Sequence, residues 1–459
     1  MKRLFGTDGI RGVANRYPMT VEMAVNIGRA TVAFFMSNDT EKRIVVGKDT
    51  RLSGDMLESA LVAGICSAGA DAHCVGILPT PGIAYLAGAA GASGGIVISA
   101  SHNPFYDNGI KIFKKDGFKL SDKEEMHFEK ILFDERPGHK CNHLRDTGRV
   151  QAIDRAYSQY QSFLLKRFPK DFSLKGFKVV LDCSHGATYR VAPELFKRLG
   201  ADIIPMNVSP NGRNINDSCG SQYLTAIRRE VTEKKADLGL AFDGDGDRVV
   251  AVDENGQAVT GDQILAICAS YMKTRGKLKG NRVVSTVMSN FGLGAALEAL
   301  GIEHVIADVG DRYVLEKMFE TDAVLGGEDS GHIIFLEDHT TGDGILAGLK
   351  LMEVMREGAK SLSQLSAIMT VYPQVLINVE VGCKPDLQAN PSILEAITSA
   401  ENKLQGRGRV LVRYSGTQPL CRIMVESPDA AETKKYAQAI AAVVKKTIGK
   451  NSHENFSND

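Results

Sequence analysis

Over its first two-thirds the chain alternates short apolar runs, small polar loops and stretches of helical periodicity. Ile44-Val45-Val46-Gly47 leads through Lys48-Asp49-Thr50-Arg51 into a stretch where Met56, Leu57, Ala60, Leu61 and Gly64 recur at helical spacing, with Ser53 placed to cap it. Val179-Val180-Leu181-Asp182 leads through Ser184-His185-Gly186 into 191–196. Val283-Val284-Ser285-Thr286-Val287 leads through Ser289-Asn290 into 293–300. Each passage predicts a buried strand, a loop and a helix, and strands alternating with helices predict mostly parallel α/β layers. The repetition predicts three similar mixed α/β domains, alike in rhythm and not in residues. After a helix expected over 346–356 the order becomes strand, helix, strand, turn, strand, helix, which predicts a smaller α+β domain at the C-terminus.

Boundaries follow from where the rhythm breaks. The stretch 134–148 is polar and aperiodic and carries Pro137 and Gly138, so the first domain is placed at 1–150. The run Val249-Val250-Ala251-Val252 closes in the turn Asp253-Glu254-Asn255-Gly256, and a helix is expected from about Asp262, so the second spans 151–257. The third is then 258–371 and the α+β domain 372–450, followed by a polar tail, 451–459, expected to be disordered.

Bulk composition narrows the class without naming it. At 459 residues the chain is too long for one core, and 24% charged with 43% hydrophobic residues is an ordinary globular balance. Lys plus Arg equals Asp plus Glu at 55 each, so no net field draws the chain to nucleic acid or an anionic membrane, and neither partner is expected. The eight cysteines, Cys66, Cys74, Cys141, Cys183, Cys219, Cys268, Cys383 and Cys421, include no C-x-x-C pair and read as thiols in a reducing compartment. No signal-peptide pattern follows Met1, and no run approaches the ~18 apolar residues of a membrane span. A cytoplasmic location is the expectation.

Four loops carry candidate chemistry. Gly94-Gly95-Ile96-Val97-Ile98 runs into Ser99-Ala100-Ser101-His102-Asn103-Pro104, which sets Ser101 and His102 at a strand end, and Asn108-Gly109-Ile110-Lys111 returns a lysine nearby. A lysine beside a nucleophilic serine can stabilise charge or move protons. The run Asp243-Gly244-Asp245-Gly246-Asp247-Arg248 offers three carboxylates at alternate positions, poor core and a good cage for a hard divalent cation. A calcium loop would need glycine where Arg248 stands, and the flanks read as strands, so magnesium sharing a phosphate oxygen fits better. Gly327-Glu328-Asp329-Ser330-Gly331-His332 brackets a carboxylate, a hydroxyl and an imidazole suited to sugar hydroxyls, although an ordinary hairpin turn would read the same way. Arg413-Tyr414-Ser415-Gly416-Thr417, with Arg422 on the returning strand, combines hydroxyls, a glycine and two guanidinium groups and suits a phosphate dianion.

Taken in order, these loops resemble the α-D-phosphohexomutase superfamily over nearly the whole chain. Within it, Phe5-Gly6-Thr7-Asp8-Gly9-Ile10-Arg11-Gly12, 103–111 and Thr341-Gly342-Asp343-Gly344-Ile345-Leu346 resemble the bacterial branch that interconverts glucosamine 6-phosphate and glucosamine 1-phosphate for cell-envelope precursors. The resemblance implies four domains around a central cleft, a phosphorylated Ser101, and one Mg2+ held by that serine with Asp243, Asp245 and Asp247. It further implies a sugar 1,6-bisphosphate as intermediate and activator. Lys111, His102 and Arg11 become candidates for proton transfer and charge stabilisation. Arg248, Glu328, Ser330 and His332 would face the sugar, and Arg413, Ser415, Gly416, Thr417 and Arg422 the phosphate that does not react. The expected partner is a small sugar phosphate, and a homodimer is compatible with the chain. Two positions depart from the family pattern: Tyr414 and Gln418 stand where proline and an acid are usual, so phosphate binding should persist with altered loop flexibility. The stretch Cys219-Gly220-Ser221-Gln222-Tyr223-Leu224 also differs from the usual C-G-S-T-H-P. A glucose or mannose phosphate specificity, or a non-catalytic sugar-phosphate sensor, are the alternatives; an intact nucleophile and aspartate ladder argue against a sensor.

Overall fold

Apolar runs of the kind that open each passage have nowhere to go but the middle of a sheet, and the computed structural model places them there. It describes residues 4–6, 8–35, 42–134, 147–415 and 419–450; Gly416, Thr417, Gln418, Cys141 and the tail 451–459 lie outside that set. Four sheets form among the described residues. The first runs in the order Ile10–Val13, Asp107–Lys114, Gly94–Ile98, Arg43–Lys48, Asp71–Ile77, Val150–Ala152. The second runs Ala258–Val259, Val249–Asp253, Leu238–Phe242, Lys178–Asp182, Asp202–Met206. The third runs Glu303–Ala307, Arg282–Thr286, Leu325–Gly327, Ile333–Phe335, and the fourth Gln374–Glu380, Leu420–Glu426, Arg409–Tyr414.

The layers are mixed rather than mostly parallel. Arg43–Lys48, Lys178–Asp182 and Arg282–Thr286 each pair in parallel on both sides. Gly94–Ile98 with Asp107–Lys114, Leu238–Phe242 with Val249–Asp253, Leu325–Gly327 with Ile333–Phe335, and Arg409–Tyr414 with Leu420–Glu426 pair antiparallel. The reason is loop length. A parallel return needs a crossover of a dozen or more residues, whereas each chemistry-bearing loop turns the chain straight back. All four candidate loops are therefore hairpin ends, presented by a paired strand on each side.

Packing rests on the predicted periodicity. Leu57, Leu61 and Ile65 of the helix Gly54–Ser67 pack with Ile27 and Ala30 of Val21–Phe35 and with Ile44, Val46, Ile96 and Ile98 of the sheet in one buried cluster. The two helices touch so closely that a Cβ on Gly64 would lie 2.2 Å from the Val25 carbonyl oxygen, so the glycine is a packing requirement. Ser53 sits at the N-terminus of its helix but does not cap it; its hydroxyl instead accepts from Asn108 Nδ2 at 2.9 Å. Its φ of −72° and ψ of −9° are already helical, which turns the side chain away from the helix amides.

The chain up to Met288, with Gly301–Ile368, forms one compact unit, and Ser289–Leu300 joins the chain from Met369 in a second. In the second, Asn290 Nδ2 donates to the Tyr372 carbonyl at 3.0 Å and to Glu426 Oε1 at 3.2 Å, while Arg409 pairs with Glu426 at 2.6 Å. Val425, Ile423 and Cys421 pack there against Ala437, Ile440 and Val444 of the helix Ala430–Ile448. The seven described cysteines are free thiols, and no helix among the described residues is long and apolar enough to cross a membrane.

One buried carboxylate makes stability depend on pH. Asp343 caps the helix Gly344–Gly358 by accepting from the Leu346 amide at 2.9 Å and takes a hydrogen bond from the Tyr160 hydroxyl at 2.8 Å. Burial pushes its carboxyl up to about 6. Because the folded value lies above the unfolded one, the unfolded state loses its proton first as pH rises. Stability is then lost between about pH 4 and 6, by about 3 kcal/mol when complete. Asp343→Asn keeps an N-capping oxygen without the charge. Its thermal midpoint relative to wild type should rise from pH 4 to pH 8; a pH-independent difference would show that the carboxyl ionises without penalty.

Candidate active site

Ser101 is fully buried at the end of Gly94–Ile98, with a left-handed backbone, φ 51°. A non-glycine residue held there carries local strain that its surroundings must impose. Its hydroxyl donates to Asp243 Oδ2 at 2.5 Å and lies 3.2 Å from His102 Nδ1. The other half of this contact is the hairpin between Leu238–Phe242 and Val249–Asp253, whose alternating glycines are explained by closeness. A Cβ on Gly244 would lie 2.5 Å from the Ser101 carbonyl oxygen, so only glycine lets the aspartate hairpin and the serine loop meet.

Asp243, Asp245 and Asp247 are buried, and each offers an oxygen within 4.8 Å of the others. Burial, then the Asp247 and Asp245 carboxylates, push the Asp243 carboxyl well above the usual range. Against its own burial, Lys111 holds Asp247 well below it. Three carboxylates this close cannot all ionise without added positive charge. Asp245 Oδ1 and Asp247 Oδ1 are both buried without a hydrogen-bond partner, although polar groups in that state are costly. Oxygen donors, convergence and unsatisfied acceptors together fit a hard divalent cation.

Lys111 is buried, with Nζ 2.9 Å from Asp245 Oδ2, 3.1 Å from Asp247 Oδ2 and 3.0 Å from Asp8 Oδ2. Burial lowers its hold on the proton, but these carboxylates more than reverse that and raise it well above the usual lysine value. It is a fixed cation. His102 goes the other way: burial, then Arg248 and Arg11, lower it to about 4, so the imidazole is neutral at pH 7. Arg11, on Ile10–Val13 opposite Gly109, pairs with Asp8 and donates to Asn103 Oδ1 at 3.4 Å.

Beside this cluster lies a cleft of about 260 Å³, lined by Asp8, Asp247, Arg248, Glu328, Ser330 and His332 among others. Glu328 Oε1 accepts from the Gly310 amide at 3.1 Å, and Ser330 lies at hydrogen-bond limit from its other oxygen, 3.5 Å. His332 is buried, accepts from the Gly342 amide at 3.1 Å, and has Asp247 and Asp311 at 3.8 and 3.6 Å. A larger cavity of about 540 Å³ opens elsewhere, along Gly261–Thr274 and Gly344–Gly358; Arg275 and Glu357 pair at its wall, Lys360 lies beside them, and the rest of its lining is uncharged. The smaller cleft is the one that adjoins the aspartate cluster, through Asp247 and Arg248.

In the second unit Arg413 and Arg422 face one another directly across antiparallel strands. That register sets two guanidinium groups side by side at one end of the strand pair, a donor set suited to a phosphate. Ser415 is buried, and Lys384 Nζ donates to its carbonyl at 2.6 Å. Tyr414 ties the base of this loop to the Pro385 carbonyl through its hydroxyl at 2.7 Å, a restraint proline could not provide. The variant stretch 219–224 contributes mainly backbone: the Gly220 amide donates to Asp182 at 2.9 Å, and Tyr223 is exposed.

Four residues of the site escaped sequence reasoning. Asp8 lay inside a motif quoted above but received no role, and it gathers Arg11, Lys111 and Lys119. Lys119 and Asp311 pair with each other, and Thr80 Oγ1 donates to Asp245 Oδ2 at 2.6 Å. Asp8 sat in a glycine-rich motif and Asp311 between a glycine and an arginine after a strand, whereas Lys119 and Thr80 had no local signal.

The chain belongs to the phosphoglucomutase/phosphomannomutase family. Models of the family's α/β/α domains I, II and III match residues 2–138, 158–256 and 260–372, and that of its C-terminal domain matches 376–443. A phosphoglucosamine mutase of Syntrophus aciditrophicus is 55% identical over 449 residues, covering 98% of this chain and 100% of that one. A phosphoglucomutase/phosphomannomutase family protein of Burkholderia thailandensis shares the fold with a TM-score of 0.80 at 24% identity, over 97% of both chains. An Aspergillus fumigatus N-acetylphosphoglucosamine mutase, solved with GlcNAc-6P and magnesium, does so with a TM-score of 0.70 at 18% identity, over 96% of this chain and 95% of that one.

Proposed function

We propose that this protein is an intramolecular phosphotransferase that interconverts glucosamine 6-phosphate and glucosamine 1-phosphate through a phosphorylated Ser101 and a sugar bisphosphate. The observation that carries the reading is the Ser101 hydroxyl 2.5 Å from the first of three convergent aspartates whose neighbours keep two oxygens unsatisfied. The choice of amino sugar is supported by full-length similarity to a phosphoglucosamine mutase. Asp243, Asp245 and Asp247, with an oxygen of the Ser101 phosphoryl group, would hold one Mg2+, which when bound supplies positive charge to the transferring phosphoryl group. Ser101 gives its phosphoryl group to a sugar hydroxyl: the P–Oγ bond breaks, a P–O bond to the sugar forms, and the proton lost by that hydroxyl ends on the freed Ser101 Oγ. His102, neutral and 3.2 Å from Ser101 Oγ, is suited to move that proton. Lys111 and Arg11 stabilise charge. Arg248, Glu328, Ser330 and His332 receive the sugar; Arg413, Ser415, Gly416, Thr417 and Arg422 hold the phosphate that does not react. The sugar 1,6-bisphosphate then returns its other phosphate to Ser101, which makes added bisphosphate an activator.

The reading includes a cytoplasmic enzyme serving amino-sugar nucleotide synthesis, with the domain limits 1–150, 151–257, 258–371 and 372–450, and a homodimer that sedimentation would test. The deciding assay offers the purified, phosphorylated protein the 1-phosphates of glucosamine, glucose and mannose, with Mg2+ and the matching bisphosphates. Turnover should be fastest on glucosamine 1-phosphate. Faster turnover of glucose or mannose phosphate would reassign the specificity, and no turnover of any would remove the mutase reading.

A further inference from the structure

Against the backbone of the serine loop sits a buried guanidinium that sequence motifs left without a role. Arg51 Nη2 donates to the carbonyls of Ser101 at 2.7 Å and Asn103 at 2.8 Å; Nη1 donates to those of Pro104 and, at 3.0 Å, Asp107. Its Nε pairs with Asp49 Oδ2 at 2.8 Å, and both side chains are wholly buried. The same Asp49 oxygen accepts from Ser99 Oγ at 2.6 Å, and Ser99 Oγ accepts the Ser101 amide at 2.9 Å. From the loop that follows the strand Asp202–Met206, Asn216 Nδ2 donates to the Ser101 carbonyl at 2.8 Å and the Asn103 carbonyl at 3.0 Å.

We propose that Arg51 and Asn216 are positioning residues that clamp the backbone of Ser101, on both its amide and carbonyl sides, in the left-handed conformation that aims Oγ at the aspartate cage. The inference rests on Ser101 being the phosphoryl carrier. Four carbonyls converge on one planar cation because the loop turns outward to show its side chains to the cleft. Without that cation the buried carbonyl dipoles repel one another, and nothing offsets the strain at Ser101. Guanidinium geometry matters as well as charge. A lysine presents its donors from a single point and cannot reach four acceptors spread over seven residues of loop.

Arg51→Lys keeps the charge, and Asn216→Ala removes the second donor while leaving Arg51 in place. A misplacement of the reacting atom by about 1 Å costs on the order of 10²-fold in rate, so kcat should fall by about that factor in Arg51→Lys and roughly tenfold in Asn216→Ala. KM for the sugar phosphate should stay within about twofold in both, because the cleft residues are untouched. Amide hydrogen exchange in the peptide 99–104 should quicken in both variants, with exchange elsewhere unchanged. Folded Arg51→Lys with wild-type kcat, or a loss expressed in KM alone, overturns the clamp. If Arg51→Lys does not fold, Asn216→Ala decides: wild-type kcat with wild-type exchange in 99–104 overturns it. Wild-type turnover tests the phosphoryl-carrier reading separately, and the exchange measurement still decides the clamp if wild type turns over none of the three sugars.

Discussion

Ser101→Ala should abolish mutase turnover, by roughly 10⁴-fold or more, while the protein folds as before. The two halves of that result come from the same geometry. Ser101 Oγ is the nucleophilic atom nearest the aspartate cage, and no other hydroxyl of the described loop contacts Asp243. Its loss to packing is small: a hydrogen bond to a carboxyl that burial already drives toward its protonated form and a longer contact with His102, or about 1 kcal/mol. The backbone bonds of Ser101, to Arg51, Asn216 and Ser99, do not involve the side chain and survive the change. Turnover, thermal midpoint and phosphopeptide mass should be read on one preparation. Appreciable turnover in a folded variant lacking phosphate at residue 101 would end the phosphoserine mechanism.

The serine loop and the aspartate ladder were legible one at a time because each signal was local; that Ser101 and Asp243, 142 positions apart, share one site followed only from the family resemblance. An apolar run followed at once by polar residues marks a strand end, and glycines between aspartates mark a tight turn. Four such loops were visible in the sequence, and all four prove to be hairpin ends, which is why the expectation of mostly parallel sheets was too simple. The antiparallel partner of each loop begins within a few residues of it, and a strand so close in sequence leaves no room for a crossover helix.

What the sequence concealed is the set of charges that make the loops work together. Thr80 reaches Asp245 from 165 positions away, Lys119 reaches Asp311 from 192, and Lys111 reaches Asp247 from 136. Such partners are chosen by packing of separate sheets, and no spacing rule within a segment reports them. Arg51 shows the same limit. In the sequence it follows a strand and precedes a helix, a place where a solvated arginine is ordinary. Only the fold turns it inward onto the carbonyls of another loop.

Asp245→Asn should weaken Mg2+ binding and cut turnover by roughly 10²–10³-fold, the scale for removing one preorganised electrostatic group. Asp245 has two duties. One oxygen takes Lys111 at 2.9 Å and Thr80 at 2.6 Å; the other is buried and unpartnered. The amide can still meet one of these needs, but it brings no charge to balance a divalent cation and weakens the hold on Lys111. Phosphorylation of Ser101 would add negative charge beside Asp243, so the phosphorylated enzyme should depend on the cation more than the unmodified one. Magnesium at about 100 times its dissociation constant stabilises a protein that binds it only when folded by about 2.7 kcal/mol. Wild type should therefore show a magnesium-dependent rise in thermal midpoint, larger when Ser101 is phosphorylated, and Asp245→Asn should require much more magnesium to reach it. An unchanged magnesium titration together with an unchanged rate would show that the aspartate hairpin is only a buried turn, and that the charge needed for phosphoryl transfer comes from elsewhere.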